Sequence, residues 1–259
     1  MLDLKNKRII ILGGSGLIGS AIVQKLLKLQ SKIFILDKKK STISLGKFKE
    51  IKFYKYDMTS KSFDKIFTQI LHKIGGVDCF INCAYPYTKD WSNSSFDKLK
   101  YSSLNKNINY QLENSIWITN LISKFMIKNN NVGSIVLLNS IYGILGNDLN
   151  IYKKTTMTEN ITYSLVKGAI SNYVRVMCPL LSKNKIRINS VCAGGVLGPV
   201  AGKSKKQSSV FIKNYSNKVP INRLADPEEI ASPVIFLCSE MSSYITGSNL
   251  IVDGGWSAI

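Results

Sequence analysis

The stretch RIIILGGSGLIG, Arg8 to Gly19, is a β-branched apolar run that passes directly into glycines spaced three apart at Gly13, Gly16 and Gly19. Such a run reads as a strand buried on both faces. The glycines let the main chain turn sharply and bring backbone N–H groups from Ser15, Leu17 and Ile18 up to a pyrophosphate, at the start of a helix expected over 17 to 29. Asp37 follows 24 residues after Gly13, at the tip of a second apolar run, KIFIL. A carboxylate there can accept hydrogen bonds from a ribose 2′-hydroxyl; a plain strand-ending turn residue is the structural alternative. The pattern points to a dinucleotide. Asp37 repels a 2′-phosphate while Lys38, Lys39 and Lys40 offset that repulsion, so NAD is the expected cofactor and NADP stays open.

Outward from that stretch, short β-branched runs at 8 to 12, 32 to 36, 51 to 56, 77 to 82, 134 to 139, 185 to 191 and 249 to 253 alternate with segments of helical period. The helical segments are expected at 62 to 74, roughly 96 to 128, 161 to 182 and 227 to 239. Strand alternating with helix implies βαβ units and an α/β fold, a doubly wound parallel sheet of about seven strands in a Rossmann-type three-layer sandwich. No internal repeat or long linker interrupts residues 1 to 259, so a single domain is expected. The irregular stretches, 141 to 160 and 195 to 220, both follow the C-terminal end of a strand, where such sheets bind ligands.

Composition narrows the partners. The 35 Lys+Arg against 16 Asp+Glu give a net charge of +19. Only Arg8, Arg175, Arg187 and Arg223 are arginines, and base readout and bidentate phosphate clamps favour arginine; the excess reads as a solvated lysine-rich surface, with no nucleic-acid partner. Cys79, Cys83, Cys178, Cys192 and Cys238 form no CxxC pair and mostly sit in apolar runs, as reduced thiols of a cytoplasmic protein do. The single histidine, His72, leaves a zinc site or a Ser-His-Asp triad hard to assemble, so no metal is expected. The basic start followed by an apolar run imitates a signal peptide. Its glycine content and its reading as the first strand argue against that, and no other stretch is long enough to span a membrane.

Three further strand ends carry candidate residues. Asp57-Met58 closes the third strand, where the carboxylate can reach an adenine or cap the next helix. Asn82-Cys83-Ala84 closes the fourth, its small residues allowing close passage under a ribose. Ser140 closes SIVLLN and can hydrogen-bond a substrate carbonyl or hydroxyl. Tyr163 and Lys167 lie four apart on one helix face. A tyrosine titrates near 10 in water, and a neighbouring ammonium stabilises the phenolate that acid/base work needs.

With these motifs in order, and with Pro220 to Ala231, Ser243-Tyr244-Ile245-Thr246-Gly247 and Val252-Asp253-Gly254-Gly255-Trp256 behind them, the chain resembles the short-chain dehydrogenase/reductase family along essentially its whole length. The resemblance implies that Tyr163 is the acid/base, that Lys167 lowers its pKa and holds the nicotinamide ribose, and that Ser140 orients the substrate oxygen. Hydride then moves between a nicotinamide and a carbonyl or alcohol carbon. Four departures stand out: Leu12 and Leu17 in the glycine loop; Gln111 where the family carries a relay asparagine; Ala193-Gly194-Gly195 before Val196, whose backbone is left to meet the carboxamide; and a Ser140-to-Tyr163 gap of 23 residues, longer than usual, implying an insertion within or near Gly146 to Asn160.

That insertion, together with ILGGSGLIG, resembles a subgroup from bacterial flagellin and surface-polysaccharide modification loci, in pathways to legionaminic-acid-type sugars. It implies a sugar or nucleotide-sugar substrate, met by Asn147, Asp148, Asn150, Thr155, Thr156 and Thr158 and by Lys203, Lys205, Lys206, Lys213 and Lys218; a mobile lid is the plain alternative. Competing readings are a 3-oxoacyl-type carbonyl reductase and a non-catalytic dinucleotide-binding scaffold or redox sensor. Family members pair through the fourth and fifth helices and the C-terminal segment, so a homodimer or homotetramer is expected, with Leu112, Ile116, Trp117, Leu121 and Phe125 available for burial; their spacing fits a core-facing stripe equally well.

Overall fold

The computed structural model describes residues 3 to 39, 48 to 199 and 207 to 259. Seven parallel strands form one sheet in the order β3-β2-β1-β4-β5-β6-β7: β1 Arg8–Leu12, β2 Lys32–Asp37, β3 Ile51–Lys55, β4 Cys79–Asn82, β5 Gly133–Ser140, β6 Ile186–Ala193 and β7 Asn249–Val252. The helices are α1 Leu17–Lys28, α2 Phe63–Ile74, α3 Tyr101–Ile108, α4 Asn114–Lys128, α5 Ile161–Ser182, α6 Ser209–Ser216 and α7 Pro227–Cys238. The expected fold class is the observed one.

The pleat of each strand sends alternate side chains to opposite faces. Ile9 and Ile11 of β1 pack with Ile22, Val23 and Leu26 of α1 and with Ile230, Val234 and Leu237 of α7. Ile10 and Leu12 face the other way, onto Phe67 and Leu71 of α2, Ile118 and Ile122 of α4, and Val166, Ile170 and Val174 of α5. That is why these strands are apolar at nearly every position. A third apolar group, with Ile151, Phe211, Tyr215, Leu224 and Trp256 buried, sits beyond the C-terminal ends of the strands, where α6 meets the insertion.

The expected helix over 96 to 128 begins only at Tyr101, because Ser95 accepts from the amides of Lys98 and Leu99 in a separate turn. A π-helical turn over Asn109–Glu113 then joins α3 to α4. The residues of α4 that reach the core are Ile118, Ile122 and Met126. Leu112, Leu121 and Phe125 flank that core, and Trp117 stays exposed. The stretch 195 to 220, read as irregular, contains α6.

Strand order reverses direction of growth between β1 and β4, so their C-terminal ends diverge and open a crevice there. The glycine loop after β1, Asn82 at the end of β4 and Ser140 at the end of β5 all border that side of the sheet.

Candidate active site

The glycine loop is shaped by close approach. Gly13 has φ +80°, and a Cβ on it would lie 2.7 Å from the Ala84 nitrogen, so the turn after β1 presses against the small residues after β4. Gly19 packs so closely on the Gly13 carbonyl that a side chain there has no room. Gly16 is different: it precedes α1 with φ −74°, and a Cβ on it would meet nothing nearer than the Gly13 oxygen at 3.4 Å. No side chain caps α1, and the Ser15 hydroxyl is buried without a hydrogen-bond partner. An open helix N-terminus, an orphaned hydroxyl and unfilled space beside Gly16 fit a pyrophosphate.

Asp37 supports this loop as well as facing it. Its carboxylate accepts from the Ser15 amide at 3.0 Å, a role that sequence spacing did not show. Lys38 does not offset that charge, because its ammonium pairs with Asp57 at 3.0 Å and donates to the Thr59 hydroxyl at 3.1 Å. Lys40 lies outside the described residues. Partial burial pushes the Asp57 carboxyl up, but the Thr59 hydroxyl and amide and the Lys38 ammonium hold it below the usual carboxylate range. Asp57 therefore does not cap α2; its oxygen is captured two residues on by Thr59 at 2.8 Å, and Ser62 precedes the helix. Met58 is buried, and its carbonyl accepts from the Asn114 amide of α4 at 2.7 Å. Asn82 accepts from the Ala84 amide at 3.1 Å, which fixes the bend under the loop.

Across the crevice, α5 presents Tyr163 and Lys167 next to Ser140. Asn160 starts this helix by accepting from the Tyr163 amide at 2.9 Å. The Lys167 ammonium donates to the Leu138 carbonyl at 2.8 Å and lies 5.5 Å from the centre of the Tyr163 ring. Burial pulls the Lys167 ammonium down to about 8. Burial also raises the Tyr163 phenol, and the Ser140 hydroxyl, hydrogen-bonded to it, opposes that rise. The lowering expected from Lys167 is not found: desolvation governs this phenol, and what lowers it is the Ser140 hydroxyl.

Gln111 lies in the π turn, buried, with neither amide atom hydrogen-bonded. It lines a cavity of about 20 Å³ together with Asn82, Ala84, Tyr85, Ser115 and Lys167, room for about one water molecule. Val196 bridges to Ala225, and its carbonyl accepts from Gln207 at 2.9 Å.

The insertion is built into the fold. Tyr152 stacks on Phe211 of α6 at 6.2 Å, Asn214 donates to the carbonyls of Ile151 and Lys153, and Asp148 pairs with Lys218 at 3.3 Å. Several of its polar groups are engaged: Asn147 bonds Ser164 of α5, while Asp148 accepts from Asn150 and Thr155 donates to the Tyr152 carbonyl within the loop. Thr156, Thr158 and Lys213 are exposed, while Lys203, Lys205 and Lys206 lie outside the described residues.

Residues that no motif flagged close the site. Tyr85 and Trp91, from the segment after β4, meet the Tyr163 ring edge-on at 5.7 and 6.5 Å, and Tyr142 meets it at 6.4 Å. Their trace in the sequence is the aromatic spacing Tyr85, Tyr87 and Trp91. Among the described residues no group of three or more His, Cys, Asp or Glu could hold a metal ion.

Residues 15–257 match the profile of a family described as enoyl-(acyl carrier protein) reductase. The chain is 29% identical to the post-translational flagellin modification protein A of Campylobacter coli, over 98% of this chain and 99% of that one. It is 26% identical to a 3-oxoacyl-(acyl-carrier-protein) reductase of Aquifex aeolicus over 98% of both. A solved short chain dehydrogenase of Leptospira borgpetersenii with bound NAD+ superposes with a TM-score of 0.87 at 26% identity, covering 98% of this chain and 94% of that chain. A match of this extent means that the chain belongs to the short-chain dehydrogenase/reductase family, oxidoreductases that act on CH–OH and C=O groups.

Proposed function

We propose that this protein reduces, or in reverse forms, a carbonyl group on a sugar or nucleotide-sugar-like substrate with NAD as cofactor. The observation that carries the reading is the convergence of Ser140, Tyr163 and Lys167 on the crevice bordered by the glycine loop. Ser15, Gly16, Leu17 and Ile18 would hold the pyrophosphate, Asp37 the adenine ribose, Asp57 and Met58 the adenine surroundings, Asn82 and Ala84 the floor, and Val196 the carboxamide. The Lys38–Asp57 pair favours NAD over NADP, since it takes away a cation that a 2′-phosphate would need.

A bound nicotinamide supplies or accepts the hydride. Ser140 orients the substrate oxygen, and Tyr163 moves a proton between its own phenol oxygen and that oxygen. Burial keeps the phenol protonated at neutral pH, the state that donates during reduction. Lys167 holds the nicotinamide ribose and stabilises the phenolate left behind. Gln111 faces the cavity behind Lys167 and stands where a proton can be passed on to solvent.

Reduction needs the Lys167 ammonium, and burial sets its loss at about pH 8. The value of kcat/KM for NADH, which reports the free enzyme, is expected to be level below that pH and to fall about tenfold per unit above it. A profile level to pH 10 would show that Lys167 takes no part.

A sugar rather than an acyl substrate is supported by the flagellin-modification relative and by the aromatic surroundings of Tyr163. Turnover of inosose, a pentahydroxycyclohexanone, against acetoacetyl-CoA tests this; preference for the thioester favours the 3-oxoacyl alternative, the activity named in the Aquifex relative. Turnover of either excludes the scaffold reading. The exposed Trp117, Leu165, Val176 and Leu180 on α4 and α5 support a homodimer through these helices. No described helix is long and apolar enough to cross a membrane, and the five free cysteines suit a reducing cytoplasm.

A further inference from the structure

Tyr85, Trp91 and Tyr163 form a three-ring cluster in which every pair meets near a right angle: 89° for Tyr85 with Tyr163, 77° for Trp91 with Tyr163 and 82° for Tyr85 with Trp91. Tyr163 and Tyr85 carry further ring contacts, to Tyr142 and Tyr87, while the described ring contacts of Trp91 are with Tyr85 and Tyr163. Tyr85 and Trp91 are only partly buried. An aromatic face is electron-rich and attracts weakly positive C–H edges, such as the row of C–H groups on one side of a saturated ring. Within the cluster, burial keeps the Tyr85 phenol neutral and so able to donate a hydrogen bond to a ring hydroxyl.

The segment carrying Trp91 is tied to the catalytic helix at defined points. Asn160 donates its side-chain amide to the Trp91 carbonyl at 2.9 Å while its carbonyl oxygen accepts from the Tyr163 amide at 2.9 Å. The Ile161 amide donates to the Ser94 carbonyl at 3.0 Å, and the Phe96 amide donates to Glu159 at 2.9 Å. The end of the insertion thus sets the distance between the aromatic wall and the acid/base phenol.

We infer that Tyr85 and Trp91 are specificity-determining residues that seat one face of a saturated, hydroxylated ring beside Tyr163, and that Asn160 is the positioning residue that holds this wall in register with the phenol. The inference rests on the proposed reading of the site and adds which residues select the substrate class. Asn160→Asp isolates the tether: aspartate keeps the oxygen that caps the helix but loses the donor to Trp91.

The test is calorimetric binding of inosose to the NADH complex of the Tyr163→Phe protein, which needs no turnover, alongside calorimetric binding of NADH to the same proteins. Trp91→Leu and Asn160→Asp are each expected to weaken inosose binding by at least ~10-fold while NADH affinity stays within about twofold; Trp91→Phe should restore most of the affinity. Unchanged inosose binding in Trp91→Leu, absence of binding before that change, or equal losses on both probes would overturn the inference. Turnover surviving in Tyr163→Phe would instead sink the Ser-Tyr-Lys reading and leaves the binding arm to judge the wall by itself.

Discussion

Replacing Tyr163 by Phe is expected to reduce turnover of any carbonyl probe by at least ~10²-fold to ~10⁴-fold, with NADH affinity within about threefold of the parent. The change removes one oxygen. Phe retains the edge-on contacts with Tyr85, Trp91 and Tyr142 and the helix start at Asn160, so little of the stability should go with it. What is lost is the group that passes a proton to the substrate oxygen as hydride arrives at carbon. Ser140 cannot replace it, since an alcohol hydroxyl gives up its proton far less readily than a phenol. Lys167 cannot either, being directed at the Leu138 carbonyl. Progress curves with NADH absorbance, and calorimetry for binding, separate the two effects.

The second large effect divides two glycines that a motif treats alike. Gly16→Val should leave the unfolding midpoint within about 2 °C while lowering NADH affinity at least ~100-fold, about 2.7 kcal/mol. At φ −74° any side chain is tolerated, and the nearest atom to a Cβ is 3.4 Å away. The added methyls then occupy the space that backbone amides must share with a pyrophosphate. Gly13→Val should instead destabilise the fold by about 3 kcal/mol, because φ +80° is strained for valine and its Cβ would overlap the main chain at Cys83 and Ala84. Thermal unfolding beside calorimetry distinguishes them; equal midpoints for both variants would contradict this account of the loop.

Much of this is legible in the sequence. The strands declared themselves because both faces are buried, and α5 was readable from Ile161 to Ser182 because an apolar helical period begins just after Asn160. The glycine loop after β1 and the grouping of Ser140, Tyr163 and Lys167 are read from residue type, spacing and the family resemblance. What stayed hidden depends on which partner a polar side chain finds. Asp57 has the spacing to cap α2, but Thr59 is nearer. Lys38 neighbours Asp37 in the chain, yet it turns to Asp57 on the next strand. Of the polar residues of the insertion, which looked available to a substrate, Asn147, Asp148, Asn150 and Thr155 are taken up by Ser164, Lys218 and contacts within the loop, while Thr156 and Thr158 stay exposed. The hydrogen bond that the Asn160 side chain donates to the Trp91 carbonyl joins segments 69 residues apart, and no local pattern announces such a contact.

The most direct test is calorimetry of NADH and NADPH on the parent protein and on Asp37→Ala, which needs no knowledge of the substrate. The account predicts that NADH binds tightly to the parent, weakens in the variant where both the ribose contact and the Ser15 tether are gone, and yields ground there to NADPH. Failure of both nucleotides to bind the parent would contradict it, and would leave the Ser140, Tyr163 and Lys167 cluster without the hydride chemistry assigned to it.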